Sequence, residues 1–201
     1  MKSRTIFILC TFVIIFSINK YSLHKDIKLQ NEDISIVNLS GKQRMYSQKI
    51  TKLALIYGEK NTETLPKTIA ELNSYIFEFS KNHKNLKINH LKKYNDFHLT
   101  NLFQKLDPYF NKTVMYVEEL VGKKDTDLEY HISLINKNND TFLSVMDNIV
   151  SRYEMIGKIR GERILNREFT FNIILIALSF YTVFFLLFPL INSKKDELSI
   201  K

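Results

Sequence analysis

Apolar residues recur in steps of three and four through most of this chain, and the longest such run lies towards its end. Leu128, Ile132, Ile135, Asn139, Phe142, Met146, Ile149, Tyr153 and Ile156 make an unbroken heptad seam of about four heptads, with Asn139 its one polar member. The run before it holds Leu99, Leu102, Phe103, Leu106, Phe110, Val114, Val117 and Leu120, and Asp107-Pro108 within it predicts a kink or a restart. Gly122 is placed to end that helix and Asp125 to cap the next. An earlier helix begins near Pro66 and carries Ile69, Leu72, Ile76 and Phe79. The polar stretch KNHKNLKINH, Lys81 to His90, reads as the loosest connection. The first of the four runs is Ile36, Leu39, Tyr46, Ile50, Leu53 and Tyr57, interrupted only by Gln43.

Two segments are apolar on all sides instead. Thr5 to Ile18 follows Lys2 and Arg4, and Phe171 to Ile191 holds 21 residues without a charge. The second is long enough for a bilayer, which takes roughly 20 apolar residues. The first lacks a small-x-small cleavage site, since Asn19, Lys20, Tyr21 and Ser22 follow it, so it reads as an uncleaved anchor. Lys2 and Arg4 at one end, with Lys194, Lys195 and Lys201 at the other, place both termini in the cytoplasm. The predicted fold class is therefore all-α: an antiparallel four-helix bundle ectodomain between two transmembrane helices of the inner membrane. Its divisions are an anchor over 1–19, an extracytoplasmic domain over 20–170, a second span over 171–191 and a cytoplasmic tail over 192–201.

Composition agrees with a helical class: five glycines and three prolines in 201 residues leave little material for tight turns. The net charge of +8 does not indicate nucleic acid, because the basic residues are single lysines mixed with acids, and residues 20–170 carry only +5. Cys10 stands alone in an apolar run, so no intrachain disulfide is available. Catalysis is not expected. The histidines at 24, 83, 90, 98 and 131 lack metal-ligand spacing, and no phosphate loop or activated nucleophile is present, so no metal or cofactor is assigned.

One position around the first helix from its apolar seam runs a second stripe: Val37, Gly41, Arg44, Gln48, Thr51 and Leu55. Glycine there costs about 1 kcal/mol against alanine but admits another backbone. If two copies met across a two-fold axis, Arg44 from each would converge, and a small planar anion between them would replace repulsion by charge-assisted hydrogen bonds.

The residues Val37-Asn38-Leu39-Ser40-Gly41-Lys42-Gln43-Arg44-Met45-Tyr46-Ser47-Gln48-Lys49 resemble a motif in the extracytoplasmic domain of type IV pilus methyl-accepting chemotaxis transducers and nitrate/nitrite sensor kinases. A weaker likeness covers VMDNIVSRYE, Val145 to Glu154, in the last helix. The resemblance implies a dimeric four-helix sensor in which Arg44 contacts a nitrate-class anion at the interface, with Gly41, Ser47, Gln48 and Lys49 around it. Lys42 and Lys49 stand where many members have arginine, and a lysine lacks the planar fork for bidentate contact. Lys49 also points about 140° away from Arg44 on an ideal helix.

After Ile191 only ten residues, NSKKDELSIK, follow, too few for a kinase or methyl-accepting module. The sequence thus predicts a homodimeric anion sensor that signals through a separate partner. The alternatives are a truncated remnant of a longer transducer, or a structural helical-bundle membrane protein with no ligand.

Overall fold

The structure, a computed structural model, describes residues 2–59, 63, 65–122 and 127–184. The chain is all-α: α1 (Lys2–Gly58), α2 (Leu65–Asn89), α3 (Phe97–Gly122) and α4 (Leu128–Thr182), with a π-helical turn at His90–Tyr94 and no strand among the described residues. Two compact units divide it, Glu32–Gly157 and a second made of Met1–Asn31 with Lys158–Lys201. Residues 20–31 and 158–170, which the sequence reading joins to the ectodomain, thus group with the apolar ends.

In the Glu32–Gly157 unit the three-four seams bury as their spacing requires. Ile50, Leu72, Phe79, Leu86, Leu99, Leu106, Ile135, Phe142, Met146 and Ile149 are fully buried, drawn from all four helices. Phe79 of α2 is central: its ring centroid lies 4.9 Å from that of Phe110 on α3 and 5.3 Å from that of Phe142 on α4. The heptad run of α4 is buried continuously from Ile135 to Tyr153.

The polar gaps in the seams are not gaps. Gln43 is fully buried and accepts a hydrogen bond from Asn82 Nδ2 at 2.8 Å; the same nitrogen reaches the Leu39 carbonyl at 2.8 Å. Ser47 donates to Asn139 Oδ1, joining α1 to α4. Asn138 donates to the Tyr109 carbonyl at 2.7 Å and to Thr113 Oγ1 at 2.8 Å, joining α4 to α3. Each buried amide would cost about 1–3 kcal/mol if left unpaired, so these bonds select one register among several that the apolar stripes alone would accept.

One expectation is corrected here, and a second loses one of its two alternatives. Lys81 to His90 is not a loose connection: α2 runs through it to Asn89, and Asn82, His83, Leu86 and His90 are buried. Its polar look arises because three of its inward positions are an asparagine and two histidines that find partners on neighbouring helices. The chain turns instead at Asn95, whose φ of 42° and ψ of 41° lie in the left-handed region that asparagine tolerates. Asp96 then caps α3, its Oδ1 accepting the Leu99 N–H at 2.8 Å. Nor does Asp107-Pro108 restart a helix; α3 is single from Phe97 to Gly122. Buried Leu102, Phe103 and Leu106 before the proline, and Thr113, Val117 and Leu120 after it, hold both halves to the core. That packing outweighs a cost of about 3 kcal/mol for one proline inside a helix.

Gly122 ends α3 as expected, whereas Asp125, residues 185–191 and the lysines at 194, 195 and 201 lie outside the described residues. In the other unit, Arg167 pairs with Asp26. Among the described residues, one helix, Leu128–Thr182, is long and apolar enough to cross a membrane. Ile173, Ile176 and Phe180 are exposed on its apolar part, and Val13, Ile14 and Ile18 on that of α1. Cys10 is exposed and free.

Candidate functional site around Arg44

Helical geometry sorts α1 into two faces. Ile36, Gln43 and Ile50 fall seven apart on the buried side, and Ile34, Gly41, Gln48 and Leu55 fall seven apart on the outer side. Ile34 and Leu55 are 55% and 50% exposed. A Cβ added at Gly41 would meet nothing within 4 Å beyond its own helix turn among the described residues.

Arg44 stands beside this outer face. Its Nε lies 2.6 Å from Asp147 Oδ1 of α4, with the two side chains 41% and 53% exposed. An ion pair so exposed contributes at most about 1 kcal/mol, and the carboxylate engages one edge of a five-donor fork. Asp147 thus holds the Arg44 side chain against α4 as a half-exposed ion pair through one nitrogen.

The residues assigned to this site from sequence do not all gather there. Gly41, Arg44 and Gln48 share the outer side of α1, and Lys49 is exposed. Ser47 is 1% exposed and bonded to Asn139, so it belongs to the core and not to an anion site. Thr51, in the same polar stripe, is also buried and donates to the Ser47 carbonyl at 3.1 Å. A 100° step per residue separates inside from outside on a half-covered helix, which turns Ser47 and Thr51 inward and Gln48 outward.

Sequence reasoning missed two groupings. Asp147 lies within VMDNIVSRYE, but its pairing with Arg44 depends on how α1 and α4 are set against each other. The second grouping is His83, Lys87 and Asp107. His83 Nε2 is 3.0 Å from Asp107 Oδ1, Lys87 donates to Asp107 Oδ2 at 2.7 Å, and the imidazole stacks on Phe110 with centroids 3.8 Å apart. The four-residue spacing of His83 and Lys87 was the available signal, hidden by reading that stretch as a connection. Further along, Arg152 grips Asp96 with Nη2 at 2.6 Å, holding its carboxyl below the usual range, and Tyr94 donates to buried Asp33 at 2.7 Å. The Tyr153 hydroxyl is raised well above the ordinary phenol, first by burial and then by the Asp96 charge.

Burial lowers the His83 pKa; the hydrogen bond and charge of Asp107 oppose this, and Lys87 adds to the lowering. The fold therefore favours the neutral ring, whereas an unfolded chain takes up the proton near about pH 6.5. The resulting stabilisation is fully present above about pH 6.5 and declines as pH falls below it. His83→Phe should remove this acid sensitivity. The stability gap between wild type and variant, read by urea denaturation, should change between about pH 7.5 and about pH 5 by up to about 1.4 kcal/mol per unit of pKa lowering. Parallel curves would refute it. His90, also lowered by burial, leaves a residual slope in both.

Among the described residues no group of three or more His, Cys, Asp or Glu is placed to hold a metal ion. No family model, no curated protein and no solved structure matches the chain.

Proposed function

We propose that this chain is a membrane-anchored extracytoplasmic sensor of bacterial signal transduction. In this reading its four helices pack as an antiparallel bundle between two transmembrane segments. Two copies associate through the outer side of α1, and a small planar anion of the nitrate or nitrite class binds at their Arg44 side chains. The observation that carries the reading is that the two stretches resembling the sensor family, 37–49 and 145–154, meet in the Arg44–Asp147 pair.

The bundle is supported by the order of cross-helix partners. As α1 advances from Asp33 to Gln43, its partners on the α2 side recede from Tyr94 to Asn82. Thr100 faces His90 and Asp107 faces His83, while Thr113 faces Asn138 and Glu119 faces His131. Such partner orders are those expected of neighbours that run in opposite senses. Dimerisation is supported by exposed Ile34, Met45 and Leu55 around the open Gly41 position.

An anion signals only if it binds two arrangements with different affinity. Here Asp147 and the anion compete for one guanidinium, so binding weakens the link from α1 to α4, the helix that carries apolar residues 171–182. A separate membrane or cytoplasmic partner then reads the change. The second reading, a ligand-free structural protein, is favoured by one feature: Arg44 already has a carboxylate partner within the chain.

Sedimentation and calorimetric titration of the full chain in lipid nanodiscs separate the two. Wild type should be dimeric and bind sodium nitrate or nitrite saturably, with sodium chloride as the blank. Gly41→Leu should yield monomers that no longer bind. A dimer that gives no heat with either anion sinks the anion proposal.

A further inference from the structure

A cavity opens between α2 and α3, and none of the Arg44-site residues lines it. Its volume is about 610 Å³, within the range of roughly 300–1,000 Å³ common for small-molecule sites. Its apolar lining includes Phe110, Val114 and Met115 from α3 and Leu91 from the turn after α2. Leu91 is 70% exposed and Met115 is 44% exposed, so large apolar groups rim the opening uncovered.

The polar groups in this groove divide by whether they are engaged. Lys87 and His83 are bound to Asp107 at its base. Lys84 lines the same groove and has no ion-pair partner among the described residues. Ser80, one turn before Lys84 on the same face of α2, and Asn111 across the groove on α3 supply two more donors. An ammonium, a hydroxyl and an amide beside an aromatic and aliphatic lining recognise a carboxylate attached to an apolar body. Asp107 and Glu118 also line the groove, and their negative charge disfavours a ligand with a second carboxylate.

We propose that this groove is a binding site for a small apolar monocarboxylic acid. The carboxylate sits on Lys84 with Ser80 and Asn111, and the apolar body lies against Phe110, Val114 and Met115. The site is independent of Arg44 and does not rest on the anion reading above.

The test is titration of the full chain in nanodiscs with 3-phenylpropionate, read by calorimetry and ligand-observed saturation-transfer NMR. Saturable binding is expected below about 10 mM, the range set by a ligand of this size. Lys84→Ala should weaken it by about tenfold or more, and Asn111→Ala by a smaller factor. Arg44→Ala should leave it unchanged. Lys84 is exposed, so its removal leaves the fold intact. Phenylsuccinate, with two carboxylates, and 3-phenylpropanol, with none, should bind more weakly than the monoacid. Absence of saturation, equal affinity of the alcohol, or unchanged affinity in Lys84→Ala would each overturn the proposal. Nitrate titration of Lys84→Ala tells the two sites apart, because nitrate binding at Arg44 should be unchanged where 3-phenylpropionate binding is weakened.

Discussion

Phe79→Ala should destabilise the Glu32–Gly157 unit by about 3–5 kcal/mol, the largest stability effect expected in this chain. Phe79 is fully buried and its ring touches rings from two other helices, so truncation removes packing from three elements together. Collapse into the cavity is opposed by the buried amide bonds on either side: Asn82 to Gln43 and Asn138 to Thr113 fix the distance between helices. A natural control lies two residues away. Phe77, on the same helix, is 63% exposed, and Phe77→Ala should change stability by no more than about 0.5 kcal/mol. Urea denaturation of both variants in mild detergent, followed by far-ultraviolet circular dichroism, measures the difference. Similar midpoints for the two would mean that Phe79 is not at the centre of the core.

Arg44→Ala and Asp147→Asn should move anion affinity in opposite directions. A charge-assisted hydrogen bond contributes about 1.5–3 kcal/mol, so losing the guanidinium should raise the nitrate Kd by at least about tenfold. Asp147→Asn removes the competing carboxylate and leaves a side chain of the same shape, so affinity should rise severalfold. Arg44→Lys should fall between, keeping charge without the planar fork. Neither Arg44→Ala nor Asp147→Asn should change the unfolding free energy read by urea denaturation by more than about 1 kcal/mol, because the pair is exposed. Unchanged titrations in both variants, with the dimer intact, would favour the structural reading over the sensor.

The division between what was legible and what was not follows helix faces. The seam from Ile135 to Tyr153 reads directly from spacing, because a helix of 3.6 residues per turn stacks positions three and four apart whatever surrounds it. The same rule placed Leu72 and Phe79 in the core, and it separated Gly41 from Ile50. It failed between Lys81 and His90, where polarity stood in for exposure, although Asn82 and His83 point inward. The Asn95-Asp96 pair carried the turn signal in plain view: one residue suited to positive φ, the next a helix cap.

The sequence by itself thus determined that the chain is helical, where its inward stripes lie and which end holds a long apolar stretch, since all of these are periodic properties of neighbouring residues. Only the tertiary structure decided that Ser47 is a core residue, bonded to an asparagine 92 positions away, and that Arg44 faces Asp147. It alone brought His83 to Asp107 over a separation of 24 residues. Such pairings depend on how far one helix is slid and rotated against the next. Apolar stripes tolerate several such registers at similar energy, and the buried amides select among them only once the helices have met.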